Sequence, residues 1–465
     1  MTTRLRRSAV AAFALTLLTA GAGRAQTPQT SQTPQPPLPL VQLERQTAAP
    51  MVITLQDALT RAKAIDNQLQ ASVADAQSAH EDRTQAKASL LPSLSFTTQY
   101  LGNQANGVNP NGRFVSLDGV NMYRVWGVLH QEFSANTVTL APYHKAEFAE
   151  AAARAKLEIA QLGLAVTVTK NYYALVTAER KYATAQQAAQ EAQRFYNISQ
   201  QQQRLGQVAQ SDVVKAEISF QQQQQAYQEA LLAMDNARLM LAVMLFPTLE
   251  QNFTVVDDLG SAPSLPPFAD VQAMAEKGNP DLRAADQALR AANQDVSAAK
   301  NAFWPSLVFD GVYGIEANEL ALHSAVAAQP ELGILPNLGY FVTVNVSMPV
   351  WDWGNLRSKL AQTRTREHQA QVELTHTQRQ VLANLYSIYN EALTAKASVD
   401  NTRHVADLAA ESLRLTNLRY QAGESTALEV VDAQATLVQA RSAFDDAEAR
   451  YRVALAELQT VTGSF

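Results

Sequence analysis

Four short stretches of the chain alternate between apolar and polar residues. In the clearest of them, Val342, Val344 and Val346 alternate with Thr343 and Asn345. A period of two is typical of β-strands whose two faces meet different surroundings. The strands come in two pairs, one in each half of the chain. The stretches predicted as strands are residues 93–100, 123–133, 307–313 and 340–348.

Long stretches rich in helix-forming residues separate the predicted strand pairs. Between Gly354 and Gly423 there is neither glycine nor proline, and residues 143–205 contain only Gly163. Such composition is typical of coiled coils, and about 65 helical residues form a rod of roughly 95 Å. Each rod is followed by a second long helix, and a shorter helix precedes each strand pair. The helices expected around the rods are about 55–90, 211–245, 268–302 and 426–461.

The two halves of the chain resemble each other. The tripeptide at 92–94, Pro-Ser-Leu, recurs at 305–307, and Gly206 recurs as Gly423, each with a tyrosine 34 residues before it. A repeat this long predicts a duplicated domain rather than a solenoid. The predicted organisation is a signal peptide (1–25), a Pro- and Gln-rich leader (26–50), a first repeat (51–246), a connector (247–267) and a second repeat (268–465).

The N-terminus has the pattern of a secretory signal peptide. Basic residues from Arg4 to Arg7 precede an apolar stretch at 9–18, and Gly23-Arg24-Ala25 is a small-x-small cleavage site. Cleavage after Ala25 would remove four arginines and no acid, so the formal net charge would change from −6 to −10. Such an acidic chain argues against a nucleic-acid partner.

No residue pattern points to catalysis or to a bound cofactor. The chain has no cysteine, its seven histidines are scattered, and it contains no phosphate-binding loop, dinucleotide fingerprint or nucleophile motif. We therefore predict a protein that is not an enzyme and that has no catalytic, cofactor-binding or metal site.

The predicted strands allow two interpretations. A single alternating strand is most often part of a sheet on a soluble core. Here, however, long polar loops at 102–121 and 316–337 join the strands, and no stretch after the signal peptide reaches 18 consecutive apolar residues, which excludes a transmembrane helix. Long outer loops and strands of about ten residues are typical of outer-membrane barrels. Four strands cannot close a barrel, so two or three chains would have to share one.

The order of motifs resembles the TolC family of outer-membrane efflux proteins. The resemblance extends over about 53–463 and depends on the duplicated Pro-Ser-Leu turns and on three stretches: 53–59 (ITLQDAL), 348–354 (MPVWDWG) and 420–433 (YQAGESTALEVVDA). It implies a mainly α fold with a small β part, in which a homotrimer forms a shared 12-stranded barrel and a helical periplasmic tunnel. At 132–136 (EFSAN) the chain departs from the aromatic-Asp-Gly turn that is usual in the family.

The resemblance also implies a function. It predicts the passive exit duct of a tripartite efflux or type I secretion system in the bacterial outer membrane, contacting outer-membrane lipid. The duct would be opened at its periplasmic tip by a periplasmic adaptor and an inner-membrane transporter. The alternative is a periplasmic coiled-coil structural or adaptor protein without a pore. Adaptors usually pair one helical hairpin with β-rich domains, whereas this chain has two hairpins and four alternating strands.

Two acids are candidates for a gate. Glu429 and Asp432 are three residues apart and share a helix face, so a trimer would place six carboxylates around one constriction. Such rings attract cations and repel anions. The alternative is an ordinary solvated helix face. The resemblance favours the gate, since both positions match acidic gate residues of the family.

The resemblance assigns further roles near the glycine turns. It predicts a latch in which Tyr420 donates a hydrogen bond to Asp212, and a second latch is in doubt because Ser425 replaces a basic residue. The turns themselves match adaptor-docking tips, although a glycine at a helix end also adopts a left-handed conformation for purely local reasons. The predicted tip residues are Leu205, Gly206, Gln207, Ala422, Gly423 and Glu424.

Overall fold

A computed structural model of the chain describes residues 50–102, 121–250, 252–317, 319–322 and 337–463. The predicted signal peptide (1–25) and all of the predicted leader except Pro50 lie outside these residues, as do most of the two polar loops. Within the described part the fold is mainly helical with a small β part, as predicted. None of the described helices combines the length and hydrophobicity that a bilayer crossing requires.

The first half contains two short strand segments, three shorter helices, two longer strands and a long helical hairpin. In chain order its elements are β1 (Met51–Ile53), α1 (Leu55–Ile65), α2 (Asn67–Ala88), β2 (Ser93–Gly102), β3 (Asn121–Phe133), α3 (Ala135–Thr139), α4 (Ala141–Arg204), α5 (Gln210–Leu245) and β4 (Phe253–Val255). β4 lies in the predicted connector and pairs in parallel with β1.

The second half repeats this order, which fits the predicted duplication. Its elements are α6 (Phe268–Gly278), α7 (Pro280–Asn301), β5 (Ser306–Ala317), β6 (Leu338–Ser347), α8 (Asn355–Gln421) and α9 (Ala427–Thr462). The four predicted strands and four long helices are thus confirmed with small changes at their ends. The exact domain boundaries stay a prediction.

The two shorter helices were predicted as continuous, and this was wrong. The first breaks at Asp66, which leaves the helical conformation and accepts a hydrogen bond from the Leu69 amide through its carboxylate at 2.6 Å. The second breaks at Asn279 because Pro280 disfavours helical geometry in the residue before it. Both breaks are N-caps in which an Asx side chain satisfies a free amide of the new helix.

The strand-to-helix junctions differ between the halves, at the point where the first half departs from the family pattern. In the second half, Asp352 accepts hydrogen bonds from the amides of Gly354 at 3.0 Å and Leu356 at 2.7 Å. In the first half, Ser134 instead caps the short helix α3, and Leu140 takes a left-handed conformation before α4 begins. An additional helical turn therefore replaces the aspartate-capped turn.

The helices form two tiers that share α4 and α8. In the upper tier, next to the sheet, the order across the layer is α2, α4, α7, α8. In the lower tier, further from the sheet, it is α5, α4, α9, α8. Each tier is thus a single layer of four helices with two free edges in the isolated chain. The sheet, ordered β2-β3-β5-β6 and antiparallel throughout, also has two free edges.

A buried charge cluster holds α2 against α4. The side chain of Glu150 is only 2% exposed, and its carboxylate lies 3.0 Å from His80 Nδ1 and 2.9 Å from Arg83 Nη1. Arg154, one helical turn along α4, donates a further hydrogen bond to it. Burial raises the pKa of Glu150, but the hydrogen bond with His80 and the charges of Arg154 and Arg83 outweigh burial and hold the pKa below its ordinary value.

A second charge cluster fixes the connector to the lower tier. The guanidinium of Arg180 on α4 donates to Asp257 at 2.6 Å, to Glu448 at 2.6 Å and to Asp445 at 3.2 Å. Burial raises the pKa of Asp445 despite its contact with Arg180. One arginine thereby joins three segments that are distant in sequence.

Candidate functional site

One face of the four-stranded sheet is apolar and exposed. Phe96 on β2 and Tyr340 on β6 have 71% and 79% of their surface accessible, and Val346 has 72%. Nothing in the described chain packs over this face, which we call the apolar face. Its exposed members are Leu94, Phe96, Tyr100, Leu129, Phe133, Leu307, Tyr313, Tyr340, Val342, Val344 and Val346. A sheet on a soluble core would bury these residues, so the soluble-core interpretation does not fit the isolated chain.

The opposite face of the sheet carries polar residues in cross-strand pairs. Arg124 on β3 lies 2.9 Å from Glu316 on β5, and His130 lies 2.6 Å from Asp310 on the same two strands. Trp126, which interrupts the polar pattern, lies beneath the Arg124 guanidinium at 5.0 Å. Three apolar residues also lie on this face: Val128, Val312 and Phe341. The sheet therefore separates an apolar side from a mixed side that carries the charged pairs.

The far end of the lower tier, where both helical hairpins turn, is the second candidate site. Gly206 and Gly423 have φ of 74° and 77°, and each turn closes with the paired backbone hydrogen bonds of a Schellman motif. The left-handed glycines predicted from the sequence are therefore present. All six predicted tip residues are exposed, and Leu205 exposes 72% of its surface.

A small aromatic core joins the two hairpins near these turns. Tyr420 packs on Phe195 with ring centroids 5.1 Å apart, and Ala216, Ala427 and Val430 complete the buried cluster. The cluster contains residues of α4, α5, α8 and α9, so it fixes the relative position of both hairpins at the tip.

The buried hydroxyl of Tyr420 has partners other than the predicted one. It donates a hydrogen bond to Gln202 Oε1 at 3.0 Å, and Ser199 Oγ lies 3.4 Å away. Asp212 is half-buried in the first turn of α5 and is not among its partners. The Asp212 part of the predicted latch therefore finds no support in the isolated chain, because the Tyr420 hydroxyl donates its hydrogen bond to Gln202 on the last turn of α4 instead.

Glu429 and Asp432 lie on the exposed side of the first turns of α9, on one face as predicted. Glu429 has a local role that the sequence analysis missed. With Thr426 it forms a capping box, accepting from the Thr426 amide at 3.2 Å while the threonine hydroxyl accepts from the Glu429 amide at 3.4 Å. The spacing Thr-x-x-Glu before a helix was the signal that could have revealed it.

A groove lies between α4, α5 and α9 in the lower tier. Its volume is about 670 Å³, and alanines form much of its floor, among them Ala174, Ala178 and Ala230. Lys181 and Asp446, paired at 2.7 Å, stand at its rim. Small residues of this kind let a neighbouring helix approach closely.

The sequence profile of outer membrane efflux proteins matches residues 58–245 and 272–464, which is most of the chain and both of its halves. The chain belongs to the outer membrane efflux protein family. Family membership places this efflux protein in the outer membrane, and the family is one of passive channels.

Two curated relatives illustrate the match. The outer membrane protein OprJ of Pseudomonas aeruginosa is 24% identical over 326 residues, which cover 68% of this efflux protein and 63% of OprJ. The matched stretch therefore spans less than two thirds of OprJ. The outer membrane protein TolC of Vibrio cholerae is 24% identical over 429 residues, covering 88% of this chain and 90% of TolC.

Solved structures share the fold. The outer membrane protein VceC of Vibrio cholerae superposes with a TM-score of 0.73 at 17% identity, covering 88% of this chain and 96% of VceC. The Campylobacter jejuni CmeC outer membrane channel superposes with a TM-score of 0.72 at 18% identity, and the match covers 88% of this chain and 85% of CmeC. The efflux protein thus has the fold of outer-membrane channels with long helices.

Proposed function

We propose that three copies of this chain form a passive exit duct through the bacterial outer membrane, the terminal part of a tripartite efflux or type I secretion system. The observation that carries the proposal is the exposed apolar face of the sheet. Removing apolar surface from water is favourable by about 25 cal/mol per Å². The many aromatic and aliphatic side chains on this face are therefore unfavourable in water and favourable in lipid. The polar face would then line the duct, which needs no catalytic group.

The free edges support a closed assembly. In lipid, each unpaired backbone group of β2 and β6 would cost several kcal/mol, so the edges have to pair with other copies of the chain. Both helical tiers also end in free edges, at α2 or α5 on one side and at α8 on the other. Two chains would give eight strands and three would give twelve; membership of the family favours three.

The tip and the groove support partners at the inner end of the duct. The exposed turns at 205–207 and 422–424 are compact and present Leu205 to solvent. The alanine-lined groove lies further along the hairpins, since Ala185, its lining residue on α4 nearest the turn, is 20 residues or roughly 30 Å before Leu205. Its small side chains would let a helix of a periplasmic adaptor approach closely. We propose that such an adaptor, coupled to an inner-membrane transporter, docks here and opens the tip.

Membrane fractionation combined with bilayer recording tests the proposal. The protein should fractionate with the outer membrane, have the mass of three chains in mild detergent, and form channels when purified trimer is added to planar bilayers. The competing interpretation, a periplasmic coiled-coil protein without a pore, predicts a soluble monomer and no conductance. That result would exclude the exit duct.

The tip contacts predict how the closed duct is held. Replacing Tyr420 by Phe keeps the ring on Phe195 but removes the hydrogen bond to Gln202, which is worth about 1 kcal/mol. The open fraction should therefore rise about fivefold, measured as channel conductance or as antibiotic leak into cells. Gln202→Ala should have a similar effect.

Asp212→Asn serves as the discriminating control for the latch. If Gln202 is the partner of Tyr420, this substitution leaves conductance at the wild-type level. An increase equal to that of Tyr420→Phe, with Gln202→Ala silent, would instead restore the Asp212 latch.

A further inference from the structure

The carboxylate of Glu429 is already engaged within its own chain. Its Oε1 accepts hydrogen bonds from the amide and hydroxyl of Thr426 at 3.2 and 3.3 Å. Its Oε2 lies 3.5 Å from Arg419 Nη1. Both oxygens therefore have partners: Oε1 contacts Thr426 in the helix cap, and Oε2 faces the guanidinium of Arg419.

Arg419 is held in place by the turn itself. Its Nη2 donates to the backbone carbonyl of Glu424 at 3.2 Å, while Nη1 faces Glu429. The guanidinium thus bridges the Gly423 turn to the first turn of α9. These two contacts place the guanidinium beside Glu429, although 54% of the Arg419 side chain is exposed to solvent.

Asp432 differs from Glu429 in this respect. It lies on the same exposed face, and within the described part of the chain its carboxylate takes part in no hydrogen bond or ion pair. Together, the side chains of Arg419, Glu429 and Asp432 carry one net negative charge per chain.

We infer that Arg419 determines the ion specificity of the tip: it cancels the charge of Glu429, so that the acidic ring has the strength of Asp432 alone. This inference rests on the proposed exit duct and refines it. An ion a few ångströms from the Arg419–Glu429 pair experiences a dipole, whose field decays faster than that of the isolated Asp432 carboxylate.

Reversal potentials across planar bilayers in a potassium chloride gradient test the inference. Asp432→Asn should lower the cation-to-anion permeability ratio by about tenfold, because a unit charge ~6 Å from an ion in water favours the cation by about threefold and disfavours the anion by about threefold. Arg419→Gln should raise the ratio by a similar factor. The double variant Arg419→Gln with Glu429→Gln should match the wild type, because it removes a neutral pair and glutamine can still complete the capping box.

Arg290→Gln is the matched control, since Arg290 forms an exposed ion pair with Asp286 at 2.9 Å on α7, away from the tip. It should leave the ratio unchanged. A double variant as poorly selective as Asp432→Asn, or an Arg419→Gln channel identical to the wild type, would overturn the inference while the exit duct stands. A wild-type protein that forms no channels would overturn both.

Discussion

Replacing Phe96 by arginine is expected to keep most of the protein from assembling in the outer membrane. Phe96 lies in the middle of β2 on the apolar face, with 71% of its surface exposed in the isolated chain. An arginine facing lipid near the bilayer midplane costs about 2–4 kcal/mol, and a trimer carries that cost three times. The amount of trimer in outer-membrane fractions, compared by immunoblot, measures the effect.

Thr97→Arg is the control on the adjacent residue. Thr97 is paired with Trp126 and faces the polar side of the sheet, where a charged residue meets water. Its trimer level should equal that of the wild type. Equal loss of trimer in both variants would mean that the two faces do not differ in their surroundings. The assignment of the apolar face to lipid and the opposite face to water would then be wrong.

Replacing Glu150 by alanine should destabilise the helical part of the protein by about 3 kcal/mol, the lower end of the range for breaking a buried ion pair. The lower end applies because Arg83 and Arg154, left without a counter-charge, still reach solvent with 35% and 64% of their side chains exposed. Urea unfolding followed by the helical circular dichroism signal measures the loss. Asp286→Ala, which removes the acid of the exposed pair with Arg290, should change the midpoint little.

The same variant should reveal a dependence on pH. The pKa of Glu150 is lower in the folded chain than its ordinary value of 4.5, so ionised Glu150 contributes its full stabilisation above that value. The contribution disappears as the pH falls through the lower, folded pKa. The stability difference between wild type and Glu150→Ala should therefore be constant near neutrality and shrink in acid. A difference that grows in acid would show that the carboxylate is protonated when folded.

The sequence predicted those parts of the fold that depend on local pattern. The alternation at 340–348 predicted a strand, and the absence of helix breakers between Gly354 and Gly423 predicted a long helix. Each pattern depends on a single element, and both predictions are confirmed. The glycine turns follow the same logic, since only a residue without Cβ takes φ near 75° at low cost. The capping box at Thr426 was also readable from local spacing.

The candidate latch could not be read in this way. Gln202 and Tyr420 are 218 residues apart, and their contact depends on how far α4 is displaced along α8. A shift of one turn, about 5.4 Å, would bring a different side chain of α4 to the hydroxyl. Neither periodicity nor composition specifies such a displacement, so the contact with Gln202 could not be predicted from them. The Asp212 latch that the resemblance implies stays a prediction. The break at Asp66 was missed for a related reason, since aspartate is tolerated inside helices as well as at their caps.

The unbroken course of α8 through both tiers has a mechanical consequence. Its 67 residues form a continuous helical rod roughly 100 Å long. If the rod tilts about its end next to the sheet, a tilt of only about 3° moves the tip sideways by ~5 Å. In the proposed trimer, such tilts would widen the tip without stretching a helical hydrogen bond. The work of opening is then concentrated in the few side chains that cross between hairpins at the tip.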